Sequence, residues 1–168
     1  MTLRIRHWPD PVLTTVAEPV SEFGKALAEL ADEMLATMYD APGRGLAAPQ
    51  VGLSKRLFVM DVTWKEGERS PMVLVNPVIT WSAKRRSRNA EGCLSLPGFA
   101  LNVSRPVSID IEWQDTEGKP FRGRLRGMAA ICAQHEYDHL DGILTIDRAS
   151  KAAVRNVRPA LDALEAGA

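Results

Sequence analysis

Apolar residues recur at helical spacing after Ser21, with Leu27, Leu30, Met34, Leu35 and Met38 on one face, which predicts an amphipathic helix laid on a core. Ser21 is the expected N-cap, and the helix should end before the glycine-punctuated loop Pro42-Gly43-Arg44-Gly45. Upstream, Pro9 and Pro11 forbid a regular helix and make His7–Pro11 a rigid, extended entry. Downstream the period shortens. Leu57 to Val62 and Met72 to Trp81 are β-prone runs separated by a polar turn region from Trp64 to Pro71. Val107, Ile109, Ile111 and Trp113 alternate with polar residues, as a half-buried strand does, and Phe121 to Leu125 should return as its partner after the turn Thr116-Glu117-Gly118-Lys119. Gly127 to Leu140 reads as a second helix stopped by Gly142, and a last helix from Ser150 must break or kink at Pro159. Strands kept apart from helices, with few β-α-β alternations, give an α+β fold class.

A length of 168 residues suits one domain spanning 1–168 with a real core. Lysine plus arginine balance aspartate plus glutamate at 21 each, so net charge offers no support for DNA or a membrane surface as partner. Lys84-Arg85-Arg86 is then expected to be a solvated turn. No apolar run approaches the roughly 20 residues of a membrane span, and Met1–Arg6 lacks the apolar stretch of a secretory signal; a cytoplasmic location is expected. In such a reducing compartment Cys93 and Cys132 are expected as a ligand, a nucleophile or core filler rather than a disulfide.

The chemistry concentrates in His135-Glu136-Tyr137-Asp138-His139. Met128, Ile131, Cys132, His135 and His139 share one helical stripe, expected to be the buried face. The two histidines then lie one turn apart and point the same way, each able to give a nitrogen to one metal ion. Glu136, to the side of the stripe, can reach a water at that ion without being a ligand itself. A catalytic metal usually takes a third protein ligand. His7 reads best as a surface or packing residue and Cys132 as core filler. Cys93, preceded by Gly92 and followed by the Pro97-Gly98 stop, is a credible thiolate ligand, because glycine lets the backbone approach a bound group.

Three segments, in order and at matching separation, resemble the peptide deformylase family: Gly43-Arg44-Gly45-Leu46-Ala47-Ala48-Pro49-Gln50, Glu91-Gly92-Cys93-Leu94-Ser95 and Gln134-His135-Glu136-Tyr137-Asp138-His139. The resemblance spans nearly the whole chain. It implies antiparallel sheets around a central metal-binding helix, and removal of the N-terminal formyl group from new polypeptides with release of formate. It makes Cys93, His135 and His139 the metal ligands and Glu136 the general base and acid, and it assigns the Gln50 amide and the Leu94 backbone N–H to the formyl oxygen. Gly45, Gly92, Arg44 and Asn89 fall at the substrate-binding positions. It further implies one divalent ion, Fe2+ in the cell with Zn2+, Ni2+ or Co2+ in purified protein. The implied partners are formylated nascent peptides and, for some members, the ribosome; Lys151, Arg155 and Arg158 in the tail would touch ribosomal RNA, beside the favoured reading of them as a solvated helix face. A monomer or weak oligomer is expected.

The sequence departs from the family at three places. Arg44, between the loop glycines, and Asn89, two before Glu91, stand where members usually carry apolar residues that shape the pocket for the methionine side chain. Phe99-Ala100-Leu101-Asn102 occupies a stretch where some members place an arginine that holds the peptide. These departures leave two alternatives beside the standard activity: a deformylase-like protein of altered or no activity, and a zinc peptidase built on the same histidine motif. The peptidase needs a third ligand downstream, where Glu165 is the one glutamate available.

Overall fold

Helix α1, Lys25–Asp40, forms over the helical apolar repeat in the computed structural model, which describes residues 2–168. It packs Leu27, Met34 and Met38 against Leu46, Leu57, Val59 and Val75. The helix begins later than the expected cap at Ser21, with Gly24 at the N-cap in a positive-φ conformation of 111°. The residues before it are occupied elsewhere: the Gly24 N–H donates to the Thr116 carbonyl at 2.8 Å, and the Phe23 ring covers Gly118. Pro11 opens a short 3-10 turn, Pro11–Thr14, capped by the Asp10 carboxylate, where the sequence suggested only extended chain; proline's fixed φ suits the first helical position.

Strands β1 (Gly45–Ala47), β2 (Leu57–Met60) and β3 (Met72–Ser82) precede a hairpin of β4 (Arg86–Cys93) and β5 (Leu96–Pro106). Strands β6 (Ser108–Gln114) and β7 (Pro120–Arg126) follow. The main sheet runs β1-β2-β3-β6-β7, and β4 pairs with β5 alone; every pairing is antiparallel. The β4–β5 hairpin was not expected from sequence. Lys84 and Arg85 do form the turn before it, but Arg86 already belongs to β4. Pro97-Gly98 does not stop the chain, because a register shift between Gly92 and Cys93 opens a bulge that accommodates both residues at an exposed position.

Helix α2, Gly127–Leu140, packs against β1, β2, β5, β6 and β7. Its Ala130, Ala133 and Leu140 join Phe58, Met60, Leu74, Ile109 and Ile111 in the main core. The expectation of one buried stripe is corrected here. Gln134, Glu136 and Asp138 are buried along with His135 and His139, while Met128 is 55% exposed. The helix is enclosed by the sheet and by the hairpin, so most of its circumference loses solvent.

Its C-terminus is held from three sides. Gly142 takes φ 71°, the Ala17 N–H donates to the Leu140 carbonyl at 2.8 Å, and Arg56 donates to Leu140 O and to Asp141 Oδ1, both at 2.9 Å. Beyond it, α3 (Thr145–Arg148), α4 (Lys151–Asn156) and α5 (Arg158–Ala166) fold back. Pro159 starts α5 instead of bending one long helix, and Leu161 packs with Leu13, Leu96 and Leu144 beneath Cys93. A Cβ at Gly142 would lie 2.8 Å from the Thr14 backbone carbon and oxygen. Gly142→Ala is therefore expected to cost about 1–3 kcal/mol from strain at this φ and the backbone clash, read as a lowered urea midpoint with unchanged slope.

Candidate metal centre

Cys93 ends β4, and His135 and His139 lie one turn apart on α2. Their ligating atoms all fall within 4.8 Å of one another, with Cys93 Sγ 3.5 Å from His139 Nε2. Of the other two candidates for a third ligand, His7 is exposed, and the Cys132 thiol is 3.5 Å from the Arg44 carbonyl to which it donates. Burial pushes the Cys132 thiol well up, aided by the charges of Glu136 and Glu91, so it stays protonated. Glu165 accepts the Trp8 indole N–H at 3.1 Å and is not in the cluster.

The ligand geometry is fixed from behind. His135 Nδ1 donates to Glu91 Oε1 at 2.9 Å, leaving Nε2 to face Cys93 and Glu136. The Glu91 carboxylate is in turn gripped by Arg105, whose Nε and Nη2 donate at 2.7 and 3.0 Å. Arg105 Nη1 reaches Asp138 at 2.9 Å, and Asp138 also accepts both a 3.1 and a 2.9 Å bond from Arg148. Burial would raise the Glu91 carboxyl, but the bonds from His135 and Arg105 outweigh it and hold it below its ordinary value. A buried carboxylate on the far nitrogen of a ligating histidine fixes its tautomer and ring orientation.

Glu136 is 3% exposed, with Oε1 3.9 Å from His135 Nε2. Burial pushes its carboxyl up to about 7, against the opposing pull of His135 and Arg105. A carboxyl in that range can take and return a proton near neutral pH. Gln50, 1% exposed, is oriented by its own loop: Oε1 accepts the Ala47 N–H at 2.9 Å, so Nε2 is turned to Ser95 Oγ at 3.1 Å and toward Cys93. Leu94 occupies the turn after Cys93 and borders the same cavity as Gln50, Gly45 and Gly92.

That cavity, of about 410 Å3, has His135 and Glu136 in its wall and Arg44, Asn89 and Met128 farther out. Gly45 passes so close to α2 that a Cβ there would sit 2.8 Å from Glu136 Oε1 and 2.9 Å from Cys132 Sγ. The Asn89 side chain is exposed and donates to Ser87 Oγ at 3.0 Å, whereas Arg44 pairs with Glu66. Arg105, Asp138 and Arg148 were not singled out from sequence. The alternation of Leu101 and Val103 in β5 with exposed neighbours was the available signal for a strand that carries Arg105 inward.

One sulfur and two imidazoles suit a divalent transition metal and leave a coordination position open. The fit has a second support: Glu136 Oε2 is buried without a hydrogen-bond partner among the described residues, and such an atom in a native site calls for an occupant. No described helix is long and apolar enough to cross a membrane.

Two outcomes are expected. Gly45→Ala should displace the Glu136 carboxylate and lower kcat about 100-fold, the scale of a 1 Å misplacement, with metal content per chain unchanged. Arg105→Met should strip the buried Glu91 of its cation and leave Asp138 only Arg148, costing about 3–5 kcal/mol of stability and weakening metal affinity about 10–100-fold, read by denaturation and chelator competition.

The polypeptide deformylase family model matches residues 2–155. A peptide deformylase of Rhizobium meliloti is 50% identical over 143 residues, covering 85% of this chain and 82% of that protein. One from Pseudomonas aeruginosa is 42% identical over 160 residues, covering 95% and 94%. Among solved structures, a plant peptide deformylase superposes with a TM-score of 0.95 at 39% identity, covering 98% of this chain and 90% of that one. A Legionella pneumophila peptide deformylase gives 0.89 at 39%, covering 98% and 96%. With a family model matching residues 2–155 and relatives up to 50% identical over most of its length, the chain belongs to the peptide deformylases, metal-dependent hydrolases that remove the N-terminal formyl group from nascent polypeptides.

Proposed function

We propose that Cys93, His135 and His139 hold a single divalent ion and that Glu136 carries the proton of the reaction. The observation that carries this reading is the convergence of the three ligating atoms within 4.8 Å beside a buried carboxylate with one unpartnered oxygen. A divalent ion held there polarises a carbonyl oxygen and lowers the pKa of a water from 15.7 to about 7. The rest of the work falls to the chain. Glu136 accepts the proton of the attacking water and returns it to the amine as the formyl C–N bond breaks. Gln50 Nε2 and the Leu94 backbone N–H donate to the formyl oxygen as charge grows on it, where losing one donor typically costs about 2.7–4 kcal/mol. The Gln50–Ala47 bond at 2.9 Å supports the Gln50 role, because it orients the amide before substrate arrives. Gly45 and Gly92 leave room for the peptide backbone, and Arg44 and Asn89 border the entrance.

Ferrous iron is the proposed metal in the cell, with zinc, nickel or cobalt entering the same site in purified protein; a thiolate with two imidazoles accepts all four. The protein is proposed to work in the cytoplasm as one catalytic domain over residues 1–168, in keeping with the packing of α5 against Leu13 and Leu96. Lys151, Arg155 and Arg158 are exposed on the last helices and form the proposed contact with the ribosome.

The test loads the protein with iron without oxygen and follows formate release from formyl-Met-Ala-Ser. Turnover is expected, and its absence in a fully metallated sample overturns the assignment. Glu136→Ala should keep about one metal per chain while losing hydrolysis, and retained turnover would refute its role as proton carrier.

A further inference from the structure

Behind the ligand network a second cavity, of about 330 Å3, opens on another face of α2 and shares no lining residue with the substrate cavity. Arg105 and Asp138 border it from inside, and Arg148 borders it with a side chain 46% exposed. Arg148 belongs to α3, which is stiffly placed. The Ile143 N–H donates to the Asp138 carbonyl at 2.9 Å. The Asp147 carboxylate caps the helix start by accepting the Leu144 N–H at 2.9 Å. Leu144 and Ile146 pack in the same cluster as Cys93. The Arg148 guanidinium is thereby delivered to Asp138 as a fork: Nη2 donates to Oδ1 at 2.9 Å and Nε to Oδ2 at 3.1 Å.

That fork decides which way the Asp138 carboxylate faces. Oδ2 also accepts from Arg105 Nη1 at 2.9 Å, whereas Oδ1 has Arg148 as its one partner among the described residues. Without Arg148, Oδ1 is left unbonded beside an open cavity, and the carboxylate gains by rotating toward solvent. Such a rotation takes Oδ2 off Arg105. Arg105 then loses the anchor that keeps its Nε and Nη2 on Glu91, and Glu91 is the acceptor of His135 Nδ1. Resting on the metal-site reading above, we propose that Arg148 is a positioning residue for the metal: from the far end of this chain of bonds it fixes the orientation of His135 and so retains the ion. Charge by itself predicts the reverse. Arg148 and Arg105 balance Asp138 and Glu91, so removing Arg148 leaves a net negative charge behind the ligands, which attracts a divalent cation. Weaker retention without Arg148 is therefore the mark of positioning, since lost charge and lost orientation act in opposite directions.

The experiment follows cobalt loss from the loaded protein to a competing chelator. Arg148→Gln is expected to weaken cobalt affinity about tenfold, the lower end of what losing a partner behind a metal ligand costs. Formate release should fall at one metal per chain and return in excess metal. Arg148→Lys keeps the charge without the fork and should recover only part of the affinity. Arg148→Ala should regain affinity when millimolar guanidinium enters the rear cavity, relative to sodium at equal ionic strength. Cobalt affinity in Arg148→Gln equal to or above the parent's overturns the proposal, as does a guanidinium effect of the same size in the parent and in Arg148→Ala. A parent protein that binds no metal sinks the metal-site reading instead. Proton exchange at His135 Nδ1 in the metal-free protein, read by NMR, then decides this proposal by itself: several-fold faster exchange in Arg148→Gln supports it, and an unchanged rate refutes it.

Discussion

The buried guanidinium of Arg105 is the interaction on which the rest of the site depends. It joins Glu91, from the hairpin, to Asp138, from the central helix, through three bonds of 3.0 Å or shorter. Glu91 then fixes His135, and Asp138 lies next but one before the first residue after the second histidine. Two elements more than thirty residues apart in sequence are thereby locked at one relative height, and that height brings Cys93 to the histidines. An isolated buried ion pair is weak evidence for stability. Here each guanidinium nitrogen of Arg105 and each carboxylate oxygen of Glu91 and Asp138 has a partner, and the network holds His135 in place.

The second constraint is the close passage of β1 over α2. Gly45 has no side chain, and a carboxylate oxygen of Glu136 lies 2.8 Å from where a Cβ would fall. The strand therefore serves both as a sheet edge and as the cover that keeps Glu136 dry. Dryness raises its carboxyl toward neutral, the range useful for carrying a proton. Gln50 follows a few residues later in the same chain direction, its amide turned by the backbone of Ala47. One short segment thus sets both the surroundings of Glu136 and the aim of the Gln50 amide.

The inner and outer parts of the cavity follow different logic. Around Cys93, His135 and Glu136, polar atoms are paired or await an occupant. Around Arg44 and Lys65 the donors are tied to a surface segment by Asp61 and Glu66.

Much was readable in the sequence because it is local. The period of Leu27 to Met38, the alternation of Ile109 and Ile111, and the span of α2 from Gly127 to Leu140 follow from backbone geometry, which repeats every few residues. The spacing of His135 and His139 on a helix gave two ligands pointing one way, and the family resemblance supplied Cys93, Gln50 and Leu94 with their expected roles. The start of α1 and the β4–β5 hairpin escaped, since contacts with Thr116 and a bulge at Cys93 decided them. The burial of Glu136 and Asp138 escaped for the same reason: a stripe on a helix does not say how many sides will be covered. Arg44 was visible as a departure, yet only the folded chain showed Glu66 holding it at the cavity. Sequence by itself determined which side chains could bind a metal or carry a proton, because these are properties of single side chains and short spacings. Tertiary structure decided their mutual distances, the tautomer of His135 and the dryness of Glu136, because those depend on residues far apart in the chain being packed together.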